Sequence, residues 1–264
     1  MDGRESPARF AGLSAFVAAA SSARRVGAGC LRGGLALANR PCAPRPFTAS
    51  KIPHAHVVLF GDSIFDNAAY VRGGPDVLAH LEQRLPEGWD ATLAAIDGAT
   101  TEDIGIQYGR IPAEATHLVL SIGGNDALMS IDILERRVSS SGEALAMLAD
   151  VRDAFGGRYG EVLRALRGRG LPLTLCTIYE GNFPDARMHR LATTALTVFN
   201  DVILRCAIRA GLPVIDLRLV CSEPEDYANP IEPSVQGGAR IAQAITLAVA
   251  PNGNAAPRTQ VITI

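Results

Sequence analysis

The sequence predicts one α/β domain over residues 53–250, built on a parallel sheet with helices on both faces. Three observations predict it. Short apolar runs alternate with helical segments along the chain. Each of the first three runs ends in a glycine-bearing turn, at Gly61, Gly98 and Gly123-Gly124. The chain has 264 residues, 48% of them apolar, which is enough to bury one large core.

His56-Val-Val-Leu-Phe60 is an apolar run closed by Gly61 and reads as a buried strand. Gly73-Gly-Pro75-Asp76 opens a helix, with proline suited to its first turn. Val77, Leu78, Leu81 and Leu85 give that helix one apolar face, and Pro86 ends it. Thr92–Ile96 is a second strand, followed by a short helix within Thr101–Ile111. His117–Ile122 is a third strand, and a polar, helical stretch follows to about Arg169. Leu171–Ile178 is a fourth strand, with Pro172 tolerated at its start. Arg187–Ala210 is a long helix with Ala195, Val198, Phe199, Val202 and Cys206 on one stripe, capped by Gly211. Pro213–Asp216 is a fifth strand, and Ser234 is the N-cap of a last helix whose inner face carries Ile241, Ile245 and Ala248. Right-handed crossovers then put the ligand site beyond the carboxyl ends of the strands.

Composition narrows the function. Charged residues are 20% of the chain and the formal net charge is −2, which argues against a nucleic-acid binder. Residues 1–55 carry eight basic side chains against Asp2 and Glu5, so the remainder is acidic and poorly suited to polyanions. Lys51 is the only lysine, so the domain has no P-loop or Schiff-base lysine. The five cysteines, Cys30, Cys42, Cys176, Cys206 and Cys221, form no C-x-x-C pair and read as reduced, mostly buried thiols with no zinc site. No run approaches the roughly 18 apolar residues of a membrane span.

Residues 1–52 are rich in Ala, Arg, Gly, Ser and Pro and read as a disordered or targeting extension, and residues 251–264 as a loose tail. A transit peptide and a secretory signal are the alternatives for residues 1–50. Without either, a cytoplasmic location is expected.

The chemistry lies at the strand ends. Gly61-Asp62-Ser63-Ile64 follows strand one, Asp97-Gly98-Ala99 follows strand two, and Gly123-Gly124-Asn125-Asp126 follows strand three. Each alone is an ordinary turn. Together, at one rim, they offer a serine nucleophile, an inward backbone N–H and a side-chain amide, which is what acyl transfer requires as charge develops on a carbonyl oxygen. Asp62 and Asp126 are expected to brace the loops by hydrogen bonds.

These blocks resemble the GDSL or SGNH hydrolases over residues 57–249. The resemblance implies a flavodoxin-like, three-layer α/β/α fold with a five-stranded parallel sheet. It implies Ser63 as nucleophile, with Gly98 N–H and the Asn125 side chain as oxyanion donors. The family's fourth block, Asp-x-x-His before the last helix, is replaced here by Asn229-Pro-Ile-Glu232, while Pro233-Ser234 and Gly238-Ala-Arg-Ile241-Ala242 keep its frame. Glu232 is therefore the candidate base and Asn229 a candidate supporting residue. An ordinary glutamate is about two pKa units less basic than histidine, a deficit of ~3 kcal/mol, which burial would narrow.

Of the five histidines, His54, His56 and His117 fall at the wrong end of the sheet, and His80 is expected at the surface of the first helix. His189 starts the long helix after Tyr179-Glu180-Gly-Asn-Phe183, a loop expected over the site, and is a second candidate supporting residue. Its plainer reading is an exposed helix-terminal histidine. The function implied is a serine esterase, lipase or acetylesterase acting on a small carboxylic ester, such as one bearing an O-acetyl or short acyl group. No metal or organic cofactor is implied, the partner is a small-molecule ester with no nucleic acid, and the oligomeric state is not set by the sequence. The alternative is an inactive relative that binds or regulates through the same pocket, with Glu232 as a structural acid near a helix N-terminus.

Overall fold

The computed structural model describes residues 54–250. The extension expected over residues 1–52, the tail from residue 251, Lys51, Cys30 and Cys42 lie outside the described residues. In chain order the elements are β1 (Ala55–Gly61), α1 (Val77–Glu82), β2 (Trp89–Leu93), α2 (Ile104–Gln107), β3 (His117–Ser121), α3 (Gly124–Met129), α4 (Ser141–Arg167), β4 (Leu173–Cys176), α5 (Ala186–Ala210), β5 (Val214–Ile215), α6 (Leu217–Val220) and α7 (Val235–Val249). The strands form a five-stranded sheet in the order β2-β1-β3-β4-β5, and every neighbouring pair is parallel. The strand order reverses between β1 and β3. Connections leave these two strands on opposite faces, so a crevice opens at their carboxyl ends.

The continuous apolar run of β1 is explained by cover on both faces. Val58 and Phe60 point into a cluster with Phe155, Tyr159 and Phe199, from α4 and α5. Val57 and Leu59 point into a second cluster with Val77, Leu81, Ile241 and Ile245, from α1 and α7. Truncating any of these fully buried aliphatics to alanine is expected to cost about 2–5 kcal/mol.

The helix ends follow the sequence signals. Ser234 caps α7 by accepting from the N–H groups of Gln236 and Gly237. Gly211, at φ 63°, closes α5 in the left-handed conformation.

Four expectations are corrected. Asp76, not Pro75, starts the first helix: its carboxylate accepts from Ala79 N–H at 2.8 Å, which puts proline outside the helix, before the cap. Strand two lies earlier than Thr92–Ile96, because sheet pairing to β1 begins at Trp89 and ends at Leu93. His80 is buried, not exposed, with its Nε2 unpaired, because α1 packs that side chain towards α7 near Gly238. The helix α5 is also long and apolar enough to pass for a membrane span, although its Phe199, Ile203 and Ala207 are buried in the sheet core.

Candidate active site

The turn after β1 is built to present Ser63. Gly61 has φ 137°, and a Cβ there would overlap the Ser121 carbonyl of β3, so glycine is required for the chain to turn so close to its neighbour. The fully buried Gln107 of α2 grips both sides of Gly61: its Oε1 accepts from Gly61 N–H at 2.9 Å and its Nε2 donates to the Gly61 carbonyl at 2.7 Å. The Asp62 carboxylate accepts from Ile64 N–H at 3.1 Å, and the Asp62 carbonyl accepts from Phe65 and Asp66. This Asx-type turn frames Ser63, which is only 7% exposed. Asp126 braces the neighbouring loop as expected, accepting from Thr101 N–H and Oγ1 and pairing with Arg158 at 3.5 Å.

On the oxyanion side, Asn125 lies in the first turn of α3 and lines the same cavity as Ser63. Its Nδ2 donates one hydrogen to the Ala99 carbonyl at 2.9 Å, which orients the amide and leaves the second hydrogen for a ligand. Gly98 follows β2 at φ 75°. Its N–H is hydrogen-bonded to the carboxyl of Asp97, beside the cavity rather than in its wall.

On the opposite side stands Glu232, 3% exposed and lining the cavity with Ser63. Its loop is closed by a bridge between Tyr227 and Pro233 and by Ala228 N–H donating to the Glu232 carbonyl at 2.9 Å. Asn229 Oδ1 accepts from the N–H groups of Ile231 and Glu232, each at 3.0 Å, so Asn229 shapes the backbone that carries the acid. Tyr179 Oη donates to the Ile231 carbonyl at 2.7 Å. Asn67 Nδ2 donates to the Pro233 carbonyl while its Oδ1 accepts from Val77 N–H, tying the loop to α1.

Burial pushes the Glu232 carboxyl up to about 8, with the Ser63 hydroxyl pulling it down as a hydrogen-bond donor and the negative charges of Asp62 and Asp97 adding to the rise. Glu232 Oε2 is buried without a hydrogen-bond partner. Burial also raises Asp62, to about 7, against the Ile64 N–H that favours its ionised form. Asp97 is raised by burial too. It accepts from Tyr70 Oη at 2.9 Å, and its own N–H donates to Asp66 at 2.9 Å. Gln107, Asn67, Tyr70 and Asp66 escape sequence reasoning. The last three lie within seven residues of Ser63, in the block that carries it, but nothing in their spacing marks them.

None of the five histidines lines the Ser63 cavity. His189 lines a separate polar cleft with Asp216, Arg218 and Glu223, because its position one turn into α5 points it away from Ser63. It therefore falls outside the site. Cys221 lines that same cleft, and burial pushes its thiol up to about 12. Among the described residues no cluster of three or more His, Cys, Asp or Glu side chains is disposed to hold a metal ion.

A serine and a buried carboxyl face each other at the carboxyl end of β1, in a sheet of order β2-β1-β3-β4-β5, and residues 59–240 match the model of the GDSL-like lipase/acylhydrolase family. The chain belongs to this family. Its fold is shared with an extracellular lipase from Streptomyces rimosus at 16% identity, covering 74% of this chain and 100% of that one, with a TM-score of 0.57. A phospholipase A1 from Streptomyces albidoflavus matches at 16% identity over 75% of this chain and 100% of its own, with a TM-score of 0.57. An acetylxylan esterase from Geobacillus stearothermophilus, solved as a catalytic mutant with a histidine replaced by alanine, matches at 18% identity over 76% and 97%, with a TM-score of 0.52. No curated protein matches the sequence. At these identities the neighbours establish the α/β/α fold of this GDSL hydrolase-family chain.

Proposed function

We propose that this protein is a carboxylic ester hydrolase in which Ser63 is the nucleophile and Glu232, in the place of a histidine, carries the proton. The observation that supports this most is the Glu232 carboxyl itself, buried at the cavity wall against Ser63 with one oxygen unpaired. An acid held near 8 is a far better base than an ordinary glutamate, and no weaker than an ordinary histidine.

In this reaction Ser63 Oγ attacks the acyl carbon as its proton passes to Glu232. The negative charge that develops on the carbonyl oxygen is met by the free Asn125 amide hydrogen and by Gly98 N–H, which turns from Asp97 to do so. Collapse breaks the bond to the alcohol, which leaves with the proton from Glu232. Water then attacks the acyl-Ser63 ester and gives its proton to Glu232. Expulsion of Ser63 Oγ takes that proton back and releases the acid.

A second reading, a binding protein that keeps the pocket without turnover, is favoured by the lack of a histidine in the cavity. One experiment separates the two. The purified chain is treated with a fluorophosphonate probe and with aryl esters at pH 7 to 9. Labelling and turnover that vanish in Ser63→Ala are expected. Inertness towards every ester and the probe across that pH range sinks the hydrolase reading.

A further inference from the structure

The Ser63 cavity does not end at the reacting groups. It continues as a cleft between α4 and α5 and beneath α3 and the turn of 3₁₀-helix at Ile131–Glu135. The polar side chains, Ser63, Asn125, Thr177 and Glu232 among them, cluster at the strand ends. Ser130 and Glu180 interrupt the rest of the wall, which is otherwise mostly aliphatic and aromatic. Leu134, Leu148, Ala195 and Leu196 belong to neither core cluster and are half-buried, so part of their apolar surface is left uncovered by the protein's own packing. Apolar surface left unpacked costs stability unless a ligand covers it. Along α5 the lining runs from Ala192 to Phe199, about 10 Å at the helical rise.

We infer that this cleft holds the acyl chain of the substrate and selects medium to long chains over acetyl. The inference rests on the hydrolase reading above. The apolar wall continues from Asn125 through Ala127, Leu128 and Ile131, broken only by Ser130, which offers the acyl carbons an apolar path under that segment. On the other side, Glu180 and Gly181 are shared with a polar cleft, which leaves the alcohol the hydrated exit.

The test is a series of 4-nitrophenyl esters from acetate to dodecanoate, a matching series of alkyl acetates, and calorimetric titration of dodecanoate into the Ser63→Ala protein. The expected kcat/KM rises roughly fourfold per methylene until the cleft is filled, with no comparable rise in the alkyl acetates. Ala195→Trp lowers the octanoate-to-acetate ratio at least tenfold and weakens dodecanoate binding. Ile131→Trp, on a half-buried turn of the wall, repeats the test should the first variant fail to fold. A flat acyl series with brisk acetate hydrolysis, or a rise confined to the alkyl acetates, overturns the inference and leaves the hydrolase reading standing. Dodecanoate binding without hydrolysis of any ester supports the apolar occupant and overturns the hydrolase reading alone.

Discussion

Gly98 lies in the loop after β2 and Asn125 in the first turn of α3 just after β3, whereas Glu232 stands on a loop held by Asn229, Tyr179 and Asn67 rather than by the sheet ladder. In the proposed reaction the donors need only be held in place: Asn125 is held by the Ala99 carbonyl, while the Gly98 N–H has first to leave Asp97. A group that must gain and lose a proton at neutral pH needs a tuned environment. The loop supplies that by burying a carboxyl among other carboxyls. Burial does most of this, and the nearby Asp62 and Asp97 carboxyls add to it, so that Glu232 is raised to about 8. In the proposed reaction the division of labour is geometric on one side and electrostatic on the other.

The sharpest way to break this contrast is to remove the electrostatic side. Glu232→Gln keeps the shape and abolishes the base, and is expected to lower kcat about 10²–10⁴-fold. In the unmodified protein kcat/KM is expected to rise with pH along an acid limb near 8, because only the carboxylate accepts the Ser63 proton. A limb near 4.5, or full activity in the variant, removes Glu232 from the mechanism. On the geometric side, Asn125→Ala is expected to cost about 10²-fold in kcat with the pH limb unmoved. A shifted limb there would mean that the two sides are not separate.

Much of this was legible in the chain. The run His56–Phe60 declares a strand buried on both faces, and the three glycine-bearing turns mark the rim where Ser63 and Asn125 meet. The environment of Glu232 was not. Its neighbour Asp97 is brought by β2, more than a hundred residues earlier in sequence, and no periodicity reports such pairing. Gln107 was invisible for a related reason: a buried glutamine looks like a polar position on a short helix until its two bonds to Gly61 are seen. His80 shows the opposite error, since a polar side chain on a short helix was expected outside and lies inside.

A smaller effect sharpens the contrast from within the loop. Asn229→Ala removes the acceptor for the Ile231 and Glu232 N–H groups and is expected to lower kcat about tenfold with little change in KM. Asn229→Asp retains the acceptor and is expected to restore most of the rate. It also adds a negative charge, so its acid limb is expected to move to higher pH. Restoration without that movement would argue that Asn229 acts on the loop alone and that its side chain is electrically remote from the base.

The smallest effect is on stability, and its sign separates a tuned acid from a merely tolerated one. The Glu232 carboxyl is raised in the folded protein from 4.5 to about 8, so between those values the folded state binds more protons than the unfolded state. Its contribution to stability is therefore intact below about pH 4.5, is lost as pH rises through about 8, and is level above that. The full penalty at alkaline pH is at most about 5 kcal/mol for a shift of this size. Glu232→Gln, which carries no charge to desolvate, is expected to melt higher than the parent at pH 9, by about 2–4 °C for each kcal/mol of that penalty, with the difference shrinking towards pH 5. Thermal unfolding followed by circular dichroism at the two pH values reads this directly. An equal Tm at pH 9 would mean that the buried carboxylate is well solvated in the folded protein, and the electrostatic half of the comparison would fall with it.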